Sequence, residues 1–343
     1  MLTRRDAVHH LLRLGLIAPA DVVEKGVSAT EYVGRNRLVM LEVNGGAGFV
    51  VKEPQQPGTA DAATMWIEGA IFWMSANEPS FAELARWMPK YHHYDERNAL
   101  LTTELIAPAT SLYSLLYAGT ASPETLRELG EAFAVLHGPV SAGLHDRARK
   151  LFRTGPAWAL TLGTAQQIFA PANDAGRTVL QRVTEHPGAP EALAQARAAW
   201  RDAHLIHGDV KSGNVLVRPD GSVRLIDWEI AALGDGLWDV AGIAHSLLIP
   251  NVQTVSDLAS AERHARPLLD ALWDGYVSRL AEPPGDDPRV TVLRLTGARL
   301  VQTCLETTLF TDRIDPFLEA TLRMGLELMT SPELARSRWE QAA

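Results

Sequence analysis

The spacing of apolar residues changes along the first hundred positions of the chain. Around residues 7–16 and 62–76 they recur at three- and four-residue steps, which predicts two amphipathic helices. Elsewhere they alternate with polar residues or form short β-branched runs, which is typical of strands. Extended segments are predicted at residues 28–33, 37–43, 48–52, 85–94 and 99–106. The N-terminal third therefore predicts a five-stranded antiparallel sheet with one inserted helix.

Beyond Pro108 the helical period dominates. Ser122 followed by Pro123 has the composition of a helix N-terminus, because serine accepts hydrogen bonds from free backbone N–H groups and proline tolerates the first helical position. Apolar side chains then recur on one face of this helix, at Leu126, Leu129, Phe133 and Leu136. The pattern indicates an α+β fold with a smaller, sheet-rich lobe at residues 1–106 and a larger, mostly helical lobe at residues 107–343.

Composition and charge narrow the possible functions. The 343 residues carry a net charge of −9, which argues against general nucleic-acid binding, since that needs a basic face. Cys304 is the single cysteine, so it forms no intrachain disulfide, and we expect it to be buried as a small apolar residue. The chain shows neither a signal-peptide pattern nor an apolar window of membrane-spanning length. We therefore expect a cytoplasmic protein that binds neither nucleic acid nor membrane.

Residues 205–242 carry the pattern that points to chemistry. Asp209 precedes a predicted hairpin, Asn214 lies just before its first strand, and Asp227 follows its second strand. Phosphoryl transfer needs a carboxylate beside the acceptor hydroxyl and cations on the phosphate oxygens. Asn214 and Asp227 offer hard oxygen ligands suited to Mg²⁺, and Lys211 offers a positive charge for the transferring phosphate. The segment is thus suited to phosphoryl transfer, with Asp209 placed where it could orient an acceptor hydroxyl and accept its proton.

The order of these residues resembles the aminoglycoside phosphotransferase and choline kinase superfamily, which is related in fold to protein kinases. The similarity covers H-G-D-x-x-x-x-N at residues 207–214, the hairpin with I-D at its end, and G-D-x-x-x-D at residues 234–239. It implies a two-lobed kinase-like fold with a nucleotide-binding N-terminal lobe and a catalytic, acceptor-binding C-terminal lobe. It also implies that Asp209 is the base, that Asn214 and Asp227 bind the metal, and that Asp239 braces the catalytic loop.

Other residues of this segment have plainer interpretations. We expect a structural role for His207 and packing roles for Trp228 and Trp238. Glu229 and Asp235 are interpreted as solvated or as bracing a loop, in preference to a catalytic role.

The resemblance requires three contributions from the N-terminal lobe. Lys52 closes a predicted strand and Glu68 lies 16 residues later in the next helix, so an ion pair between them would hold the lysine on the nucleotide phosphates. The loop at residues 33–37, which includes Asn36, is predicted to cap phosphates with backbone N–H groups. The connector from Glu104 to Ile106 is predicted to read the adenine edge.

The sequence says less about which molecule accepts the phosphate. Asp274, Glu306 and Asp312 would suit a cationic, aminoglycoside-like molecule, and a choline-like or homoserine-like metabolite is an alternative. Residues 35–37, 156–162 and 210–211 resemble phosphotransferase subunits from class V lanthipeptide and thioamitide clusters, which implies a precursor-peptide Ser or Thr acceptor and a separate lyase partner. A non-catalytic, nucleotide-binding module is the alternative from another class.

Overall fold

The computed structural model describes residues 2–55, 60–252, 258–280 and 287–341. By their contacts they divide into two compact units. The first comprises residues 1–110 with 216–231, and the second comprises residues 111–215 with 232–343. The predicted hairpin that follows Asn214 thus belongs mainly to the first unit, although more than a hundred residues of the second unit precede it in the chain. It stays a prediction that residues 1–106 form the nucleotide-binding lobe and residues 107–343 the catalytic and acceptor-binding lobe.

The first unit is built on a five-stranded antiparallel sheet in the order β1–β2–β3–β5–β4. Its helix α1 begins with a capping box between Thr3 and Asp6. A turn at residues 44–47 joins β2 to β3, and Gly45 there has a φ of +67°. The elements of this unit are α1 (Arg4–Arg13), β1 (Val27–Val33), β2 (Asn36–Val43), β3 (Gly48–Pro54), α2 (Ala60–Asn77), β4 (Tyr91–Asp95) and β5 (Leu100–Glu104).

One predicted strand is wrong over its first half. Residues 85–94 were expected to be extended, but Leu84–Trp87 forms a 3₁₀ turn and the strand starts only at Tyr91. Leu84 and Trp87 are both fully buried, and their three-residue separation fits the period of a 3₁₀ helix. The apolar residues that suggested a strand therefore pack into the interior from a 3₁₀ turn instead.

The second unit is mostly helical. As predicted, Ser122 caps α4 with Pro123 in its first turn, and the four apolar residues of its periodic face are fully buried. Cys304 is also fully buried. The helices are α3 (Leu112–Tyr117), α4 (Pro123–Val135), α5 (Ser141–Gly143), α6 (Asp146–Arg149), α7 (Asp174–Glu185), α8 (Ala189–Ala199), α9 (Leu237–Val252), α10 (Leu258–Ser278), α11 (Pro288–Thr307), α12 (Pro316–Thr330) and α13 (Pro332–Gln341).

Short strands frame the motif segment. They are β6 (Thr110–Ser111), β7 (His204–Ile206), β8 (Val215–Val217), β9 (Val223–Leu225) and β10 (Ala232–Gly234). In the second unit β7 pairs with β10, so the strand before Asp209 and the one before α9 lie side by side. This pairing fixes both ends of the region that carries the chemistry. None of the helices in the described part of the chain combines the length and apolar character that crossing a bilayer requires.

Candidate active site

Lys52 is the centre of a buried charge cluster in the first unit. It lies on β3, and its side chain is 9% exposed. Its ammonium lies 2.7 Å from a Glu68 carboxylate oxygen on α2 and 2.6 Å from an Asp227 carboxylate oxygen. The structure thus brings together the predicted lysine and glutamate and adds the predicted metal ligand to them.

A third carboxylate joins this cluster. Glu229 has a carboxylate oxygen 3.9 Å from the Lys52 ammonium. Burial alone would lower the pKa of Lys52, but the three carboxylates outweigh it and raise that pKa. Burial raises the pKa of Glu68 to about 7 against the attraction of Lys52. One ammonium therefore lies beside three acidic groups. It cannot neutralise all three, so the cluster is suited to binding an added cation.

Asp227 holds its position in an unusual backbone conformation. It follows β9 with a φ of +69°, a left-handed angle that aspartate tolerates better than most residues. One carboxylate oxygen each from Asp227, Glu229 and Glu68 lies within 4.8 Å of the others. Carboxylate oxygens at this spacing fit a hard divalent cation. Lys52 engages both Glu68 and Asp227, but the Asp227 side chain is 34% exposed and that of Glu68 only 4%, so Asp227 is the more accessible candidate for binding a metal.

The loop between β1 and β2 is anchored to the same cluster. Asn36 is buried at the start of β2, and its side-chain amide donates to Glu229. Arg35 has a guanidinium nitrogen 3.3 Å from the other Glu229 carboxylate oxygen. Glu229 therefore braces this loop, as one of its two interpretations expected, but it is buried rather than solvated. Asn36 lies in extended backbone and contributes its side chain to the bracing.

The predicted adenine connector continues from β5. The Glu104 N–H donates to the Lys90 carbonyl and the Leu105 N–H donates to the Gly48 carbonyl, at 2.9 and 3.0 Å. The Glu104 carboxylate accepts from Arg218 at 2.8 Å. The N–H groups of Glu104 and Leu105 are therefore both used within the first unit, and Ile106, the last residue of the predicted connector, is buried.

Asp209 lies in the second unit, on the loop between β7 and β8. One of its carboxylate oxygens accepts from the Lys211 ammonium at 2.7 Å, and the other lies 3.6 Å from the Arg299 guanidinium. Burial alone would raise the pKa of Asp209, but Arg299 and then Lys211 outweigh it and lower that pKa. The two cations therefore favour the ionised form of the Asp209 carboxylate, which is the form that a general base needs.

Asn214 closes the same loop. It is buried in a 3₁₀ turn, and its side-chain N–H donates to the Asp209 backbone carbonyl at 3.0 Å. This contact orients the side-chain amide, whose oxygen is the atom that a metal would bind.

Asp239 braces the loop from the first turn of α9. It is fully buried and accepts from the backbone N–H groups of His207 and Gly208, at 2.7 and 3.0 Å. A ring nitrogen of His137 lies 3.2 Å from the same carboxylate. Burial alone would raise the pKa of Asp239, but His137 and His207 outweigh it and lower that pKa. The two backbone N–H groups directly before Asp209 are thereby fixed.

A model of the phosphotransferase enzyme family matches residues 49–276, about two thirds of the chain. The chain belongs to this family. The matched span includes Lys52, Glu68, Asp209, Asn214 and Asp227. A methylthioribose kinase of Citrobacter koseri is 23% identical, in an alignment covering 86% of this chain and 79% of that protein. The chain is thus a family phosphotransferase with kinases among its relatives.

Solved structures show the same fold. A choline/ethanolamine kinase family protein from Mesorhizobium loti has a TM-score of 0.57 at 18% identity, covering 99% of this chain and 100% of that one. An amicoumacin kinase in complex with AMP-PNP and Ca²⁺ has a TM-score of 0.57 at 13% identity, covering 95% and 94%. The predicted α+β, kinase-like fold class is confirmed.

The three acidic residues considered for the acceptor of this phosphotransferase differ in setting. Asp274 is exposed on α10 and lies 3.8 Å from Arg127. Asp312 is exposed beyond the end of α11. Glu306 lies on α11 and accepts from Gln302 at 2.8 Å, and its charge helps to raise the pKa of Lys211, second to Asp209 among the carboxylates. Of the three, Glu306 is the one whose charge acts on Lys211, in the loop that carries Asp209.

The sequence did not indicate that Arg299 lies beside Asp209 or that Glu229 lies beside Lys52. Glu229 stands two positions after Asp227, and its signal was a charged residue beside the buried Trp228. Arg299 lies 90 residues after Asp209, and its signal was an arginine within an apolar helix, one turn beyond Leu295. Neither signal indicates which residue is contacted, because Lys52 and Asp209, the residues that Glu229 and Arg299 approach, are distant in sequence.

Proposed function

We propose that this family member transfers the γ-phosphoryl group of ATP, as its Mg²⁺ complex, to an alcohol hydroxyl of a small molecule. The observation that carries the proposal is the state of Asp209. Its carboxylate is half-buried, Arg299 and Lys211 lower its pKa, and it sits on a loop that Asp239 fixes through two backbone N–H groups. A carboxylate so placed suits the removal of a proton from an acceptor hydroxyl.

The chemistry assigns a role to each part. The acceptor hydroxyl gives its proton to the Asp209 carboxylate while its oxygen forms a bond to the γ-phosphorus. The bond between that phosphorus and the bridging oxygen breaks, and ADP leaves with the electron pair. Lys52 would bind the α- and β-phosphates from the first unit, in the position that Glu68 secures. Lys211 would leave Asp209 to meet the transferring phosphate.

Asn214 and Asp227 would hold the metal, with Glu229 as a further carboxylate ligand. Bound Mg²⁺ neutralises charge on the phosphate oxygens. Residues 1–106 are taken as the nucleotide-binding lobe and residues 107–343 as the catalytic and acceptor-binding lobe. The names of the relatives support the proposal, since they include a methylthioribose kinase and an amicoumacin kinase bound to AMP-PNP and Ca²⁺. The peptide-kinase alternative rests on sequence resemblance and stays a prediction.

An acceptor panel tests this function. The purified protein is incubated with Mg-ATP and, separately, with methylthioribose, choline, homoserine, kanamycin and a Ser- and Thr-containing peptide. Mass spectrometry is then used to detect an added phosphate. We expect phosphate on a small-molecule acceptor and none when EDTA is present. Phosphate on the peptide alone would replace the proposal with the peptide kinase. ATP binding without transfer to any acceptor would favour the non-catalytic module.

A further inference from the structure

Arg299 is a buried cation beside the catalytic loop. It lies on α11 and is 4% exposed. One terminal guanidinium nitrogen, Nη2, donates to the Val210 backbone carbonyl at 2.8 Å and lies 3.6 Å from the Asp209 carboxylate. Arg299 therefore contacts both Asp209 and the residue after it.

A second route connects Arg299 to the residue before Asp209. The guanidinium lies over the ring of Trp238, 5.0 Å from its centre, which is within the range of a cation–π interaction. The indole N–H of Trp238 donates to the Gly208 carbonyl at 3.1 Å. The loop is thus held on both sides of Asp209, directly through Val210 and indirectly through Trp238.

The packing of α9 makes room for this contact. A Cβ atom added at Gly242 would lie 2.4 Å from the Val210 carbonyl oxygen and 3.3 Å from Arg299 Nη2. The first distance is far shorter than any real Cβ contact, so a larger residue would displace the carbonyl that Arg299 binds. A glycine on α9 and an arginine on α11 therefore complement each other at this point.

Fold stability is a poor explanation for this arginine. Among the described residues no acceptor forms a hydrogen bond to its Nε or Nη1 nitrogen. Burying a guanidinium without pairing its donors is costly, and an apolar residue would suit this face of α11 better. The burial of Arg299 is better explained by its contacts with the loop that carries Asp209 and Val210.

We propose that Arg299 is a positioning residue for phosphoryl transfer, fixing the catalytic loop so that the Asp209 carboxylate meets the acceptor hydroxyl. The proposal rests on the proposed function of Asp209. Lys211 is half exposed on a flexible stem, so it can leave Asp209 for a phosphate, whereas Arg299 is buried and stays. Arg299 then remains as the fixed partner of the base throughout the reaction.

The test compares variants on one helix. Arg299→Met keeps most of the unbranched stem and removes the charge and donors, and Arg299→Lys keeps the charge without the planar fork of donors. The matched control is Arg294→Met on α11, whose guanidinium pairs with Glu333. Turnover is measured with Mg-ATP and the acceptor found in the panel, or with water as acceptor. We expect kcat to fall by about 100-fold in Arg299→Met with the KM for ATP within about twofold of wild type. Arg299→Lys should recover only part of this loss, and Arg294→Met should retain the wild-type kcat.

A double-variant comparison distinguishes positioning from general structure. If Arg299 acts through Asp209, adding Arg299→Met to Asp209→Asn should lower turnover little further. Millimolar guanidinium should also restore part of the turnover of Arg299→Ala, and methylammonium should restore less. Wild-type kcat in Arg299→Met, or an equal further loss in the Asp209→Asn background, would overturn the inference. If Arg299→Met does not fold, the Arg299→Lys variant decides the question, and a wild-type kcat in that variant would overturn the inference. If Asp209→Asn itself retains turnover, the proposed function fails instead.

Discussion

At the residue scale, the cluster around Lys52 affects both the proposed nucleotide binding and the stability of the fold. Three buried or partly buried carboxylates share one ammonium, so removing the ammonium leaves them facing one another. Uncompensated buried charge is strongly destabilising, whereas removing a carboxylate at the same time relieves it. Stability and nucleotide affinity are therefore expected to respond differently to changes here.

Lys52→Met should weaken ATP binding by about 10-fold or more, because a charge-assisted contact to the phosphates is lost. It should also lower the free energy of unfolding, and adding Glu68→Gln should restore part of that stability without restoring ATP affinity. Calorimetric titration with ATP and urea unfolding measure the two effects. Lys90→Met, at an exposed lysine just before β4, is the control and should change neither. Unchanged ATP affinity in Lys52→Met would contradict the assignment.

Asp227 is expected to control the metal requirement. Asp227→Ala removes a carboxylate from the proposed metal site, so the Mg²⁺ concentration for half-maximal transfer should rise by about 10-fold or more. Asp220→Ala, in the exposed turn of the same hairpin, should keep the wild-type value. Titration of activity against free Mg²⁺ gives both numbers. Equal Mg²⁺ curves for Asp227→Ala and wild type would remove Asp227 from the ligand set.

At the element scale, His245 on α9 links this helix to α11 through a hydrogen bond. Its Nδ1–H donates to the Gly242 carbonyl at 2.6 Å, and its Nε2 accepts from the Thr303 hydroxyl at 3.1 Å. Burial, with Arg299 nearby, lowers the pKa of His245 to about 3. Below pH 6.5 the unfolded chain therefore takes up a proton that the folded chain does not, so stability is lost as the pH falls from 6.5 towards 3.

Between pH 7 and pH 5 this histidine should account for a stability loss of about 2 kcal/mol. His245→Gln does not titrate in this range, so its free energy of unfolding should fall by that much less than that of wild type. Urea unfolding at both pH values provides the comparison. His9→Gln, at an exposed histidine on α1, is the control and should follow the wild type. The same pH dependence in His245→Gln and wild type would refute this account.

Close helix packing is the other feature at this scale. A Cβ atom at Gly130 on α4 would lie 2.2 Å from the Leu272 carbonyl oxygen on α10. Gly130→Ala should therefore destabilise the fold by about 1–3 kcal/mol or more, because two helix backbones would have to separate. Gly138→Ala is the control, since its added Cβ meets nothing within 4 Å. Thermal unfolding of both variants tests the contact, and equal melting temperatures would contradict it.

At the scale of the whole molecule, local pattern predicted the elements and the motif predicted the family. The strands β1 to β3 and the helix α4 followed from period and capping, since both are set by neighbours in the chain. The sheet order, with β5 beside β3, could not be read, because it depends on pairing between distant segments. The same limit hid Arg299 and the buried position of Glu229. The adenine connector, the metal ligands and the base remain predictions.

The central claim is that Asp209 is the base of an ATP-dependent phosphotransferase. Its most direct test measures ADP formation and acceptor phosphorylation together in wild type, Asp209→Asn and the exposed-site control Asp220→Asn, with ATP affinity measured separately. We predict one acceptor phosphate for each ADP in wild type and in Asp220→Asn. Asp209→Asn should bind ATP as the wild type does and lose turnover by about 100-fold or more. Full turnover in Asp209→Asn would contradict the account.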